Sequence, residues 1–371
     1  MASIALAFLF LSTAFSLSFF SNAKETAPIC PFNSIYQLGD SLADTGNRIL
    51  IPGIPPTFHA GHLPYGETYF GKPTGRFSDG LLMIDYIAIA LKLPLLNPYL
   101  SKNSSFIHGV NFAVAGSTAL DKSFFDERNI SIKSFNPPLS AQIEWFKNHL
   151  NCTCRSPTLC AKKLRKALVS IGAFGGNDYF TAFSNRKSIE EAKTLVPFTV
   201  NAIVEGIKEI IKLGVKRIVI SGVSPFGCLP SLLTSSPSSD PDAYDEFGCL
   251  RDYNKFASFH NNYLRDTISL VSRQYSDVVI LYVDYYGAFL SVFRRAYYLG
   301  IDRESLLKAC CGNGGKYNFD GKKTCGSNET SVCSDPSRFM NWDGVHLTQK
   351  AYRHISEILI TDILSNIDCI W

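Results

Sequence analysis

What most constrains this chain is an alternation. Four short apolar runs recur along it, at residues 32–38 (FNSIYQL), 166–173 (KALVSIGA), 216–222 (KRIVISG) and 277–283 (DVVILYV). Between and after them lie stretches with apolar residues at helical spacing. Residues 198–213 carry Val200, Ile203, Ile207, Ile210 and Ile211 on one face, and residues 250–271 and 348–364 read the same way. Strand alternating with helix implies an α/β fold with a parallel sheet and helices on both of its faces. Sites in such sheets gather outside the carboxyl ends of the strands, so the residues just after each strand matter most. Three stretches read as long loops: residues 51–79, 231–248 and 310–336. No internal repeat or composition break marks a second domain, and 371 residues suit one large α/β domain.

The first 23 residues differ from the rest. Residues 5–20 (ALAFLFLSTAFSLSFF) carry no charge, and Ser21-Asn22-Ala23 supplies small residues before Lys24. This pattern predicts a cleaved signal peptide over residues 1–23 and one domain over 24–371. The apolar run is short for a membrane span, which argues against an uncleaved anchor. Two features fit a secretory route. Eleven cysteines cluster in loop-like stretches and lack zinc-type spacing, which predicts disulfides with at least one thiol left over. Glycosylation sequons stand at Asn103, Asn129, Asn151 and Asn328. The net charge of +4 is spread along the chain with no basic block, which argues against a nucleic-acid partner.

Ser41 lies in Gly39-Asp40-Ser41-Leu42, directly after the first apolar run. A serine there can project its hydroxyl from the sheet edge, although Asp40 and Ser41 could equally cap a helix. A hydroxyl is a poor nucleophile at neutral pH without a base. Of seven histidines, only His346 follows an aspartate, Asp343, by three residues in a loop-like setting (NWDGVHLT). In a turn that interval can bring the carboxylate onto Nδ1 and leave Nε2 facing a serine. His59 and His62 sit in a loop and are weaker candidates. Acyl transfer also needs donors for an oxyanion. GVNFAVAGSTAL offers the Gly116 N–H, and GAFGGNDY offers the Asn177 side-chain amide. The absence of G-x-S-x-G, G-x-x-x-x-G-K-[ST] and H-E-x-x-H removes the other common hydrolase and nucleotide signatures.

Taken in order, LGDSLADTGN, GVNFAVAGS, GGND and DGVH resemble the blocks of the GDSL lipase/esterase group within the SGNH hydrolase superfamily. PYGETYFGKPTGRFSDG (residues 64–80), SPFGCLP (224–230) and the CCG at Cys310 are similar to its plant members, although Leu81 stands where many of them have arginine. The resemblance implies a three-layer, flavodoxin-like α/β/α sandwich around a parallel sheet. It implies Ser41 as nucleophile, His346 as general base and acid, and Asp343 as the group orienting it. The Ser41 and Gly116 N–H groups and the Asn177 amide would form the oxyanion hole. No metal or cofactor is implied. The expected partner is a small-molecule ester, with no stable membrane anchor and a monomeric chain in the apoplast or vacuole. Within the plant group, ICPFNSIYQLGDS, LPLLNPYL and GVNFAVAGSTALD resemble alkaloid-deacetylating members, which points to an acetyl ester of a specialised metabolite such as an indole alkaloid. Long-chain lipid, acetylated wall polysaccharide and transfer of the acyl group to an alcohol stay open.

Overall fold

The four apolar runs form strands, each one or two residues shorter than its run at one or both ends: β1 (Ser34–Leu38), β3 (Ala167–Ile171), β4 (Arg217–Ser221) and β5 (Val279–Val283). A fifth strand, β2 (Gly109–Asn111), lies inside the block expected to supply the Gly116 donor. It has only three residues and ends on asparagine, so it carries almost no periodic signal. All pairings within this five-stranded sheet are parallel, in the order β2-β1-β3-β4-β5. The computed structural model describes residues 30, 32–132, 136–367 and 369; the expected signal peptide lies outside them.

Side chains alternate across the sheet as pleating requires. Val110, Tyr36, Val169, Ile218 and Ile280 pair in register from edge to edge and enter one core. Ile35, Leu168, Val219 and Val283 enter the other. The first core is covered by helices Leu139–Thr153, Val196–Lys212 and Arg251–Gln274, the second by Met83–Ala90, Tyr285–Arg295 and Gln349–Asn366. The result is a three-layer α/β/α sandwich. Helix Val196–Lys212 shows why the pattern reads as it does. Pro197 sits in its first turn, Val200, Ile203, Val204, Ile207 and Ile210 are buried on one stripe, and Gly214 at φ +102° ends it.

Chain order reverses between β1 and β3, because β1 leads out to β2 on one side and β3 returns on the other. The connections that leave their carboxyl ends therefore diverge, and a crevice opens between them. Ser41 follows β1 by three residues, and Asn177 follows β3 by six. Of the expected loops, residues 231–248 begin inside a short helix, Pro230–Ser235. Residues 310–336 are stapled by Cys310–Cys333 and Cys311–Cys325. Cys30–Cys369, Cys154–Cys160 and Cys228–Cys249 complete the pairing, and Cys152 is an exposed free thiol.

Candidate active site

The chain leaves β1 through Gly39 and turns at Asp40, whose Oδ1 accepts the Leu42 N–H at 3.0 Å and whose carbonyl accepts the N–H groups of Ala43 and Asp44. This turn presents Ser41. On the far side of the crevice, helix Gln349–Asn366 is capped by Thr348, whose Oγ1 accepts the Ala351 N–H at 3.2 Å. The loop ahead of the cap carries Asp343 and His346. His346 Nε2 lies 2.8 Å from Ser41 Oγ, across 305 residues of sequence. Its Nδ1 lies 2.8 and 2.9 Å from the two Asp343 carboxylate oxygens. All three residues are buried at 8% exposure, so the contacts are shielded from water yet reach the crevice.

Burial alone would push the Asp343 carboxyl up, but the adjacent His346 and the N–H groups of His346 and Val345 outweigh it and hold it down at about 2. Asp343 is therefore an anion over the working pH range. With Nδ1 tied to that carboxylate, Nε2 is the ring nitrogen left to accept a proton from the hydroxyl. Asp40, beside Ser41, is pushed up to about 6 by burial despite its bond from Leu42.

The two backbone donors are positioned from the same turn. Asp44 accepts four backbone N–H groups: Gly46 and Asn47 on Oδ1, Arg48 and Ala115 on Oδ2. The Ala115 bond, at 2.8 Å, fastens the segment after β2 to the turn that carries Ser41 and places Gly116 beside it. Gly116 has φ +82°, and a Cβ there would stand 2.1 Å from Asn136 Nδ2. The N–H groups of Ser41 and Gly116 have no acceptor among the described residues. The Asn177 amide sits at the start of helix Gly176–Ser184, with Nδ2 3.0 Å from the Ser117 carbonyl and 3.4 Å from Asp40 Oδ2. The next residue, Asp178, accepts the N–H groups of Ala119 and Leu120 at 2.9 and 3.0 Å, which locks this helix onto the Gly116 segment.

Two cavities meet here. A narrow one of about 30 Å³ is walled by Leu42, Phe180, Val223, Phe226, Leu229 and Val345, with Ser41 at its edge. A wider cleft of about 210 Å³ runs past Gly116, Thr118, Asn136 and Thr181. Asn177 and Phe180 line both. Among the described residues no group of three or more His, Cys, Asp or Glu is placed to hold a metal ion, and no helix is long and apolar enough to cross a membrane.

Sequence reasoning did not find the supports of this site. The loop at residues 51–79 bears on the Asp343–His346 segment rather than on the cavities. Tyr65 donates to Asp343 Oδ2 at 2.8 Å, Ser78 to the Leu347 carbonyl at 3.0 Å, and the Gln349 N–H to Asp79 Oδ1 at 2.6 Å. His59 lies near Asp343 and His346, with burial lowering its affinity for a proton and Asp343 opposing that, whereas His62 contacts the Pro56 carbonyl. Leu81 has a backbone role here: its N–H donates to Gln349 Oε1 at 3.0 Å. The four sequon asparagines are all exposed, Asn151 on the last turn of helix Leu139–Thr153.

Residues 35–359 match the family described as GDSL-like Lipase/Acylhydrolase. Acetylajmalan esterase of Rauvolfia serpentina is 46% identical, over 97% of this chain and 92% of its own length. Acetylajmalan esterase 2 of the same plant is 45% identical, over 96% and 97%. A GDSL esterase/lipase of Arabidopsis thaliana is 41% identical, over 95% and 90%.

Proposed function

This chain belongs to the GDSL-like lipase/acylhydrolase family and is a carboxylic ester hydrolase, and from that premise we propose that it removes a short acyl group, acetyl by preference, from a bulky small-molecule alcohol. Ser41 Oγ attacks the ester carbonyl while His346 Nε2 takes its proton, and Asp343 holds the imidazolium. The oxyanion is met by the Ser41 and Gly116 N–H groups, and the Asn177 amide becomes the third donor by exchanging its long 3.4 Å contact with Asp40 Oδ2 for the oxyanion. His346 then gives its proton to the departing alcohol. A water molecule, deprotonated by the same nitrogen, attacks the acyl-serine, and the carboxylic acid leaves with Ser41 reprotonated. The observation that carries the role assignment is the unbroken contact from Ser41 Oγ through His346 to Asp343.

The cavities favour a short acyl group. The pocket at Ser41 is small and apolar, which suits a methyl better than a long chain, while the wider cleft past Gly116 has room for the alcohol. Relatives named acetylajmalan esterases agree with an acetylated alkaloid as the substrate class. A panel of esters varying acyl length against alcohol size tests this: acetyl preference with a bulky alcohol is expected, and preference for long acyl chains overturns it. Ser41→Ala should lose turnover and labelling by a fluorophosphonate while staying folded; retained turnover removes Ser41 from the mechanism.

The chain is further read as a secreted glycoprotein acting outside the cell or in the vacuole. Five disulfides among the described residues and four exposed sequons support this. A mass loss on enzymatic removal of N-glycans from protein isolated from its native tissue checks it.

A further inference from the structure

Asp343 is held by more donors than a turn and one histidine would supply. Its Oδ1 accepts the N–H groups of Val345 and His346 at 2.8 Å each, and His346 Nδ1 faces both oxygens. The remaining bond on Oδ2 comes from 278 residues away, from the Tyr65 hydroxyl at 2.8 Å. Tyr65 is 1% exposed. Its ring stands edge-on to Trp342 at 5.9 Å and to Phe77 at 6.1 Å, and Phe77 in turn lies 4.9 Å from the His346 ring. Burial first, and then the Asp343 charge, raise the phenol well above its ordinary range, so the hydroxyl remains a donor.

We infer that Tyr65 is a positioning residue for the proposed reaction: its hydroxyl fixes the Asp343 carboxylate against His346 and takes up part of its negative charge. The inference rests on the Ser41–His346–Asp343 reading. Without this donor, Oδ2 is held by the imidazole alone. A turn of the carboxylate about its Cβ–Cγ bond then costs less, and the ring that must face Ser41 follows it. The undivided carboxylate also stabilises the imidazolium more strongly, so the base gives up its proton at higher pH. The other titratable groups facing this pair are His59, Asp40 and Tyr352, and none of them hydrogen-bonds to Asp343.

The test is Tyr65→Phe in the full chain, because it deletes the hydroxyl and keeps the ring between Trp342 and Phe77. The kcat should fall roughly tenfold with KM changed less than about twofold, and the acid limb of kcat/KM should move up by about half a pH unit. In an Asp343→Asn background the same substitution should cost nothing further, since a residue acting through Asp343 has no route left. An unmoved limb, or a loss in the double variant equal to that in the single one, overturns the inference and leaves a packing role. Ser41→Ala is assayed alongside. If that variant keeps turnover, the nucleophile reading has failed; if it is dead while Tyr65→Phe keeps the wild-type limb, only the Tyr65 inference has failed.

Discussion

Gln142 holds Gly39 by both of its backbone groups: Oε1 accepts the Gly39 N–H at 2.9 Å and Nε2 donates to the Gly39 carbonyl at 2.8 Å. Nε2 also lies 3.0 Å from Ser117 Oγ. One side chain from the helix layer thus ties the residue just after β1 to the residue that follows Gly116. It does for the end of the strand what a neighbouring strand does along its length. Gln142→Leu should therefore act on stability and on rate together. It leaves the Gly39 N–H buried without an acceptor, a cost of about 1–3 kcal/mol. It also frees the two segments that carry the Ser41 and Gly116 donors. The expected result is a lower Tm in thermal melts and a kcat reduced by roughly tenfold or more, with KM little changed.

Asp343→Asn keeps the shape of the side chain and removes its charge. The amide can place only one acceptor where the carboxylate meets the N–H groups of Val345 and His346, the Tyr65 hydroxyl and Nδ1. Its NH₂ then faces either a backbone donor or the ring, and the favoured ring tautomer is reversed. A loss of about 10⁴ in kcat is expected by analogy with the equivalent change in other serine triads. Steady-state kinetics checks it. A loss under tenfold would mean that His346 is oriented by something other than Asp343.

Much of the fold was legible from Ile35, Leu168, Ile218 and Val219, because a short apolar run that ends in a turn and is followed by helical spacing has few other solutions. The three residues that meet in the candidate site were legible for a different reason. Ser41, Asp343 and His346 stand at turns next to element ends, where a local motif survives in sequence. Their supports were not. Gln142 lies in the first turn of its helix at a position that reads as ordinary amphipathic polarity, and Tyr65 lies in a loop with no periodicity. Asp44, Asp79 and Asp178 each satisfy backbone donors brought close only by the tertiary fold. Nothing in the spacing of these residues encodes such partners. β2 was missed because three residues are too few to show a period of two.

Gly116→Ala should lower turnover without unfolding the protein. At φ +82° an alanine is strained, and its methyl would meet Asn136 Nδ2 at 2.1 Å. The strain is relieved by moving Asn136 or by rotating the peptide, and either shifts the N–H that faces the nucleophile. Misplacing one oxyanion donor commonly costs about 10²–10³ in kcat. Circular dichroism should show the native spectrum, and fluorophosphonate labelling of Ser41 should slow in parallel with turnover. Wild-type kinetics in this variant would remove Gly116 from the oxyanion hole.

The acid response of stability combines opposing groups, and His149 is the residue with which to isolate one of them. It packs against Tyr36, Phe106 and Phe112, and its Nε2 has no partner among the described residues. Burial, helped by the charge of Lys163, lowers it from 6.5 to about 4. Burial likewise lowers His260 to about 3. Between these values and 6.5 the unfolded chain binds protons that the folded chain does not, so folding loses free energy as pH falls through that window. The buried Asp40, Asp44 and Asp178, raised from 3.8 to about 6, work in the opposite sense between about pH 4 and 6. The wild-type curve therefore mixes both, and a substitution separates them. His149→Phe keeps an aromatic ring against Tyr36 and Phe112 and removes the titrating nitrogen. Between about pH 7.5 and about pH 4.5 the variant should lose less unfolding free energy than the wild type, by on the order of 2 kcal/mol after allowing for solvent screening, and its Tm should fall correspondingly less. Parallel melting curves with unchanged spacing at the two pH values would show that His149 carries none of the acid sensitivity.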